Sequence, residues 1–367
     1  MKILFCIPMM SNRGGGAERV LALVANGLAL RGHDVGICSL DQPGEQSFYP
    51  LDPKVRWHAI GARRADSNTA AFDFLSSAWS LRREVRRLSP DLVVGFLPSA
   101  FIPLGIAMFA SRTPLVASEH IVWQHYASRP LQALAMYSMR WAARRITCVS
   151  EQARSTFPTA LQRKMDVIPN PVAIDRDGQA DVIGQPGAPH TLLAVGRLVP
   201  QKDHATLIEA FAILKDRFAD WQLRIVGEGE MRPGLERLVA ERDLQDCVTL
   251  AGTKEDIRSE YLAAQLFVLP SRYESLGLTT VEALTYGLPA VGFSDCPGTN
   301  QLIKPGLNGE LVDGGGDRVA ALAEVLADLM GSPEKRAALA GHAPPAPSSW
   351  CLDSVLDRWE ELLRSVS

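Results

Sequence analysis

No two cysteines stand at C-x-x-C spacing, and no Cys/His cluster has zinc-finger spacing, so a structural zinc site is not expected. The six cysteines are scattered, at positions 6, 38, 148, 247, 296 and 351. Cys6, Cys38 and Cys148 lie inside apolar, strand-like runs and read as buried free thiols of a reducing cytosol. Neither G-x-x-x-x-G-K-[ST] nor G-x-G-x-x-G occurs, which removes the usual P-loop and dinucleotide signatures. A membrane span needs roughly eighteen or more uninterrupted apolar residues. The most apolar long stretch, 91–110, opens on Asp91 and is broken by Pro98 and Pro103, so it reads as strand, turn and buried helix. The N-terminus starts like a secretion signal at Lys2, but its apolar run contains Pro8 and ends in a glycine loop, so it reads as a first strand. There is no convincing catalytic triad. The only D-x-D, at 175–177, falls in an irregular segment where acids sit in solvent, so neither a metal nor a cofactor is expected.

What is present is a soluble globular composition. The 367 residues suggest two domains, and 47% hydrophobic residues suffice for two cores. The net charge of −3 is unevenly placed. Residues 1–180 carry 21 Lys+Arg against 14 Asp+Glu, a net +7, and the remainder carries 17 against 27, a net −10. A basic first half suits an anionic lipid or a phosphorylated substrate, with compositional drift as the plain alternative.

Short Val/Ile/Leu-rich runs alternate with helical stretches throughout. In the first half the strands read as KILFCIP, DVGICSL, DLVVGFL, PLVASE, RITCVS and DVIPN. After 190 the rhythm restarts with TLLAVGRL, WQLRIVGEG, CVTLAG, LFVLP, PAVGF and GELVD. Such alternation implies parallel sheets covered on both faces by helices. Residues 169–190, rich in Pro, Gly and Asp, have no period and read as the region of a linker. The expectation is an α/β fold with two doubly wound domains and a shared site at the carboxyl ends of their strands. At the C-terminus, Ser349 or Ser354 could cap a helix with Leu352, Val355, Leu356, Trp359, Leu362 and Leu363 as its apolar stripe.

Five segments could carry chemistry. RGGGAER (13–19) follows the first strand and opens a helix, so its N–H groups could face an anion, or it is only a tight turn. AVGRLVPQKDH (194–204) sets Arg197 and Lys202 after a strand, where a fork and a mobile point charge suit a diphosphate. SRYESLGLTTVEAL (271–284) sets Glu274 at the mouth of a strand and Glu282 inside the next helix. The first turn of that helix, Leu278–Thr280, offers free N–H groups, Glu274 could accept sugar hydroxyls, and Glu282 could accept a vicinal diol. Against this, Glu282 could simply favour a helix N-terminus. ASEHIVWQHY (117–126) puts His120 at the end of a strand, while His33 and His204 read as surface histidines. Basic helices carry Arg82, Arg83, Arg86 and Arg87 in one case and Arg140, Arg144 and Arg145, with Tyr137 and Trp141, in the other. They suit an anionic membrane surface or a lipid-linked phosphate, or are merely solvated faces.

Taken in order, GGAERV, ITCVSEQAR, VIPNPV, AVGRLVPQKDHATLIEAFA, VGEGEMRPGLE, LFVLPSRYESLGLTTVEALTYGLPAV and GLNGELV resemble the retaining family 4 nucleotide-sugar glycosyltransferases of the GT-B fold. The E-x7-E pair, Glu274 to Glu282, is the most specific match. The glycine loop and SEH most resemble transferases of lipid-linked oligosaccharide, O-antigen or exopolysaccharide synthesis. The resemblance implies an acceptor domain over 1–172, completed by a crossing helix at 350–367, a linker at 173–190, and a donor domain over 191–349. It implies that Arg197 and Lys202 hold the donor diphosphate of a UDP- or GDP-sugar, that Glu274 contacts the sugar, and that Glu282 binds ribose. Ser275, Leu276, Gly277, Leu278 and Thr279 would bracket sugar and phosphate, His120 would lie near the donor sugar, and Gly15 and Gly16 would face phosphate or acceptor. The implied partners are a nucleotide-sugar, a lipid-linked glycan and an anionic membrane surface, with no nucleic acid. The implied place is cytoplasmic, peripheral at the inner face of the cytoplasmic membrane. E-S-L-G replaces the common E-G-F-G, Asn300 stands where an acid is usual, and 341–350 departs from continuous helix. Two rivals share the fold: a nucleotide-sugar 2-epimerase, which would convert donor without acceptor, and a non-catalytic nucleotide-sugar-binding subunit.

Overall fold

The computed structural model describes residues 1–11, 15–61, 70–127, 129–172, 178–185, 187–340 and 347–367, the side chains of 70–75 excepted. Arg13 and Gly14 of the glycine loop, the D-x-D at 175–177 and the segment 341–346 lie outside the described residues. The chain divides into two units, Met1–Pro171 with Ser348–Ser367, and Val172–Pro347.

The first unit holds a seven-stranded sheet: β1 (Lys2–Ile7), β2 (Asp34–Ser39), β3 (Arg56–Ala59), β4 (Leu92–Phe96), β5 (Leu115–Ser118), β6 (Arg145–Cys148) and β7 (Met165–Val167). Its order is β3-β2-β1-β4-β5-β6-β7, and every pairing is parallel. Leu4, Phe5 and Cys6 are consecutive and all buried, as expected of a strand covered on both faces. Leu4 and Cys6 face a cluster with Val93, Leu81 and Leu104, while Phe5 meets Trp359 edge-on at 6.3 Å between ring centroids. β3 has no counterpart in the expected strands. It is a four-residue edge strand with no buried residue, too short and too wet to show a period.

The second unit holds a six-stranded sheet: β8 (His190–Val195), β9 (Trp221–Val226), β10 (Val248–Leu250), β11 (Leu266–Leu269), β12 (Ala290–Phe293) and β13 (Gly309–Val312). Its order is β10-β9-β8-β11-β12-β13, again all parallel. The expected linker is shorter than its composition suggested. Ala180 N–H donates to Tyr286 O (2.9 Å), Gln265 Nε2 to Asp181 O (3.0 Å) and Arg336 Nε to Val182 O (2.8 Å). Residues 180–182 are thus bonded into the second unit, because aperiodic backbone still offers donors and acceptors that must be satisfied.

The terminal helix, Leu352–Val366, lies on the helix Gly16–Leu30 of the first unit. Val355, Leu356, Trp359, Leu362, Leu363 and Val366 are its buried stripe. Gly27 is what lets the two helices approach: a Cβ there would lie 2.4 Å from Leu356 Cδ1. Neither Ser349 nor Ser354 caps this helix. Cys351 occupies the cap position without a side-chain cap bond, and its Sγ reaches Ser354 Oγ at 3.3 Å.

Candidate active site

In the second sheet the strand order reverses at β8, so β11 is its neighbour on one side and β9 on the other. Ligands of open α/β sheets collect outside the carboxyl ends of the strands at such a point. The chain leaving β8 runs through Arg197, makes a 3-10 turn over Pro200–Lys202 and enters the helix His204–Leu214. The chain leaving β11 runs through Ser271 and Glu274 to the helix Leu278–Thr285. The two segments are clipped together by Arg272 N–H to Gln201 O (2.9 Å) and Gln201 Nε2 to Tyr273 O (2.8 Å).

That clip brings Lys202 and Glu274 into contact, with Nζ 2.6 Å from Oε1. Ser271 Oγ donates to the same oxygen at 2.7 Å, and the backbone N–H of Glu274 is held by Pro297 O at 2.9 Å. The Lys202 and Glu274 side chains are 13% and 10% exposed, so the pair is largely desolvated and its attraction is weakly screened. Asp203 follows in the left-handed region, at φ 51°, with Arg272 Nη2 3.0 Å from its carboxylate. His204 is not a surface histidine. It is 2% exposed, and burial together with the Lys202 ammonium pushes its pKa down to about 4. Its polar sequence neighbours hid this, because the turn folds the ring inward. His33 is half-buried too, 2.9 Å from Glu360 of the terminal helix.

Arg197 is exposed at the end of β8. The glycines of VGEG serve its loop: a Cβ on Gly227, at φ +147°, would lie 2.1 Å from Gly196 O. The exits of β8 and β9 therefore lie backbone against backbone, tied by Leu198 N–H to Glu228 O (2.9 Å).

Gly277, at φ 69° and ψ 53°, turns the chain into the helix Leu278–Thr285. Leu276 is buried beneath the turn. The hydroxyls of Thr279 and Thr280 are buried and have no hydrogen-bond partner among the described residues. Glu282 Oε2 accepts from Tyr261 OH at 2.8 Å, which fixes its carboxylate. Asn300 Nδ2 donates to Ser294 O at 2.8 Å, a bond that an ionised acid at this position would not make.

The first unit presents a different set at its strand ends. Gly15 precedes and Gly16 begins the helix after β1, and the Glu18 carboxylate folds back over Gly15. Asp41, after β2, accepts from Met10 N–H (2.7 Å) and Ser11 Oγ (2.6 Å), fixing the approach to that loop. After β5, Ser118 Oγ lies 3.0 Å from His120 Nε2 and accepts from Thr147 Oγ1 at 2.9 Å. His120 is half-buried and stacks on Phe96 at 4.9 Å between centroids. Burial pushes its pKa down to about 4, against a smaller opposing effect from Asn170. Glu119 is 1% exposed, and burial pushes it up to about 7 despite the bonds from Tyr126 OH and Ile121 N–H. Ser271, Asp41 and the Glu119–Tyr126 pair carry no sequence signal beyond their position after strands.

The basic residues are less uniform than two arginine-lined helices. Arg82 Nη1 caps the carbonyls of Ala107 and Phe109, and Arg87 bonds Glu84. Arg83 lies over Trp79, 5.2 Å from its centroid, and Arg86 is exposed. Arg140 donates to Tyr137 OH at 2.7 Å and lies 4.3 Å over Trp141. Arg144 and Arg145 are not helical: the helix ends at Ala142, and Arg145 opens β6, 3.3 Å from Asp166. The alanines at 142 and 143 masked that boundary, because they suit a helix well.

Two family models match the chain, Glycosyltransferase Family 4 over residues 14–176 and Glycosyl transferases group 1 over 175–344, and together they span 14–344. The chain is a glycosyltransferase, with a family 4 domain followed by a group 1 domain. Among relatives of this glycosyltransferase, an uncharacterized glycosyltransferase of Haemophilus influenzae is 26% identical over 99% of both chains. A Campylobacter jejuni GalNAc-alpha-(1->4)-GalNAc-alpha-(1->3)-diNAcBac-PP-undecaprenol alpha-1,4-N-acetyl-D-galactosaminyltransferase is 26% identical over 100% of this chain and 99% of its own. Anabaena Alr3699/HepE, solved in complex with UDP-glucose, is 20% identical and superposes over 100% of both chains with a TM-score of 0.79. The fold is GT-B. The two family matches meet at 175–176, close to where the second unit of this glycosyltransferase begins at Val172. Among its described residues no helix is long and apolar enough to cross a membrane.

Proposed function

We propose that this glycosyltransferase moves a hexose or N-acetylhexosamine, with retention of configuration, from a UDP- or GDP-sugar to a hydroxyl of a lipid-linked glycan in cell-surface polysaccharide or glycolipid synthesis. The observation that carries the reading is the Lys202–Glu274 contact at the β8/β11 strand ends, beside the helix that starts at Leu278. A cation touching a carboxylate suits the junction of a nucleotide-sugar, where diphosphate meets sugar. As the glycosidic bond breaks, negative charge grows on the leaving diphosphate. Arg197, Lys202 and the N–H groups of the helix start are set to meet that charge without reorganising. The Thr279 and Thr280 hydroxyls supply further donors there.

Glu274 acts as a sugar-binding acid, with Lys202 and Ser271 fixing its Oε1. Glu282, steadied by Tyr261, binds the ribose hydroxyls. Reaction on one face of the sugar lets the departing phosphate oxygen take the acceptor's proton as the new bond forms. The side-chain cations do the work a metal would otherwise do, so activity persists in a chelator. The C. jejuni relative's undecaprenol-linked substrate and the UDP-glucose held by the Anabaena protein support the acceptor and donor classes. Work on such an acceptor places the enzyme peripherally at the inner face of the cytoplasmic membrane.

A nucleotide-sugar panel read by thermal shift identifies the donor, since a ligand of the native state raises its melting temperature. The same donor is then incubated with lipid-linked acceptors. Release of nucleotide only with acceptor is the expected result. Donor binding without release on any acceptor would overturn transfer, and an epimer formed without acceptor would replace it with isomerisation.

A further inference from the structure

Three helices of the first unit pack side by side: Ala70–Leu88 against Pro98–Ala107, and the latter against Pro130–Ala142. The middle one was expected to be buried. Its inner face is, through Ala100, Phe101 and Leu104, but Ile106 is 50% and the following Phe109 79% exposed. The flanking helices also expose Trp79 (63%), Leu131 (81%), Leu134 (67%) and Trp141 (69%), and Leu134 and Trp141, about two turns apart, share a helix face. Arg82 bonds the carbonyls of Ala107 and Phe109, which ties the Trp79 helix to Phe109. Gly105 lies against Met139 and Ala142, which sets Trp141 on the other flank of Ile106. Large apolar side chains gathered on one face are not the scattered exposures of an ordinary surface.

Among the described side chains the exposed charges on this face have one sign. From Asp91 to Glu151 the only acid in between is Glu119, and it is buried. Over 76–88 the only acid is Glu84, buried and bonded to Arg87. Arg83, Arg86, Arg112 and Arg144 are exposed around the apolar side chains, and Arg83 and Arg140 lie over Trp79 and Trp141. Guanidinium over indole is an arrangement that presents an apolar ring and a cation at one depth. A second copy of this face would bring like charges together, which disfavours self-association.

From this juxtaposition we infer that the outer face of these three helices docks on an anionic lipid bilayer, with Trp79, Phe109 and Trp141 entering the headgroup region and the arginines pairing with lipid phosphates. The inference rests on the proposed lipid-linked acceptor and deepens it by fixing which surface meets the membrane and how. Charge alone would give binding that salt abolishes. Inserted aromatic side chains leave a part that salt does not remove.

The test is co-sedimentation of the full chain with phosphatidylcholine vesicles, with and without phosphatidylglycerol, at low and high salt. The expected result is weak binding to the neutral vesicles and much stronger binding to the anionic ones, the latter reduced by salt but not abolished. Arg83→Glu/Arg86→Glu should lower partitioning at least roughly 25-fold, at about fivefold for each arginine removed. Phe109→Ser/Trp141→Ser should lower it roughly tenfold and remove the salt-resistant part. Binding to neutral vesicles as strong as to anionic ones, or partitioning unchanged in Phe109→Ser/Trp141→Ser, overturns the inference. So does a face buried in a dimer that these variants dissociate. Thermal shift with UDP and GDP, run on the same samples, separates the two readings. Nucleotide binding without vesicle binding defeats the docking surface alone. No response to any nucleotide defeats the proposed donor, whatever the vesicles show.

Discussion

The two sheets are built alike around their centres, as β3-β2-β1-β4 and β10-β9-β8-β11, yet the groups at their strand ends are held in different charge states. In the second unit a cation meets a carboxylate, Lys202 on Glu274, with Arg197 exposed nearby. In the first, Glu119 and His120 are paired with hydroxyls and backbone N–H, and burial drives both toward their neutral forms. Topology thus chooses the place and not the chemistry. A buried ionisable group keeps its charge where a countercharge or enough hydrogen-bond donors meet it, as the four donors from Met10, Ser11 and Ser39 do for Asp41, and is driven neutral where desolvation outweighs them.

The comparison breaks most visibly if charge in the second unit proves dispensable. Lys202→Ala or Arg197→Ala should lower turnover by about 10²–10³, the usual cost of removing one donor to a developing anion. Lys202→Ala also leaves the Glu274 carboxylate without its cation, so adding Glu274→Gln should recover melting temperature while activity stays low. Near-normal kinetics in both single variants would end the diphosphate assignment.

A smaller effect tests the first unit. Glu119 binds its proton more tightly folded, at about 7 against an ordinary 4.5, so the folded state holds more protons between these values. Its contribution is fully present at acid pH and is lost as pH rises through about 7, roughly 2–3 kcal/mol between pH 5 and 8. Glu119→Gln should flatten that slope in urea unfolding, and an unchanged slope would assign the proton elsewhere.

The smallest effect has the opposite sign and belongs to the second unit. His204 titrates at about 4 when folded against an ordinary 6.5, so its contribution is present at neutral pH and lost as pH falls. Between pH 6.5 and 5 the loss is roughly 1–2 kcal/mol. His204→Gln should remove it from the unfolding of the second unit, and equal acid sensitivity in the variant would show that the ring is not its source.

Much of the fold was legible because the strands of a covered parallel sheet are largely apolar runs, unbroken in β11 and β12 and interrupted by single polar residues in β9, β10 and β13. β3 was not, being an exposed edge. Gly32 ends its helix as expected, at φ +90°, but the cap of the terminal helix falls on a cysteine that no capping preference selects. At the site, Glu274 and Lys202 could each be picked from their place after a strand. Their partners could not, since Ser271 and Gln201 look like any loop residues.

The sequence by itself determined the two-sheet architecture, the glycine-dependent exits of β8 and β9, and the residue types at the strand ends. These follow from local period, backbone freedom and chain order. Only the tertiary structure decided which groups keep their charge. Lys202 reaches Glu274 across 72 positions of chain, and His204 turns inward from a polar segment. Glu119 meets a tyrosine and not a cation. Solvation and countercharge are properties of neighbours in space, and most of those neighbours are distant in sequence.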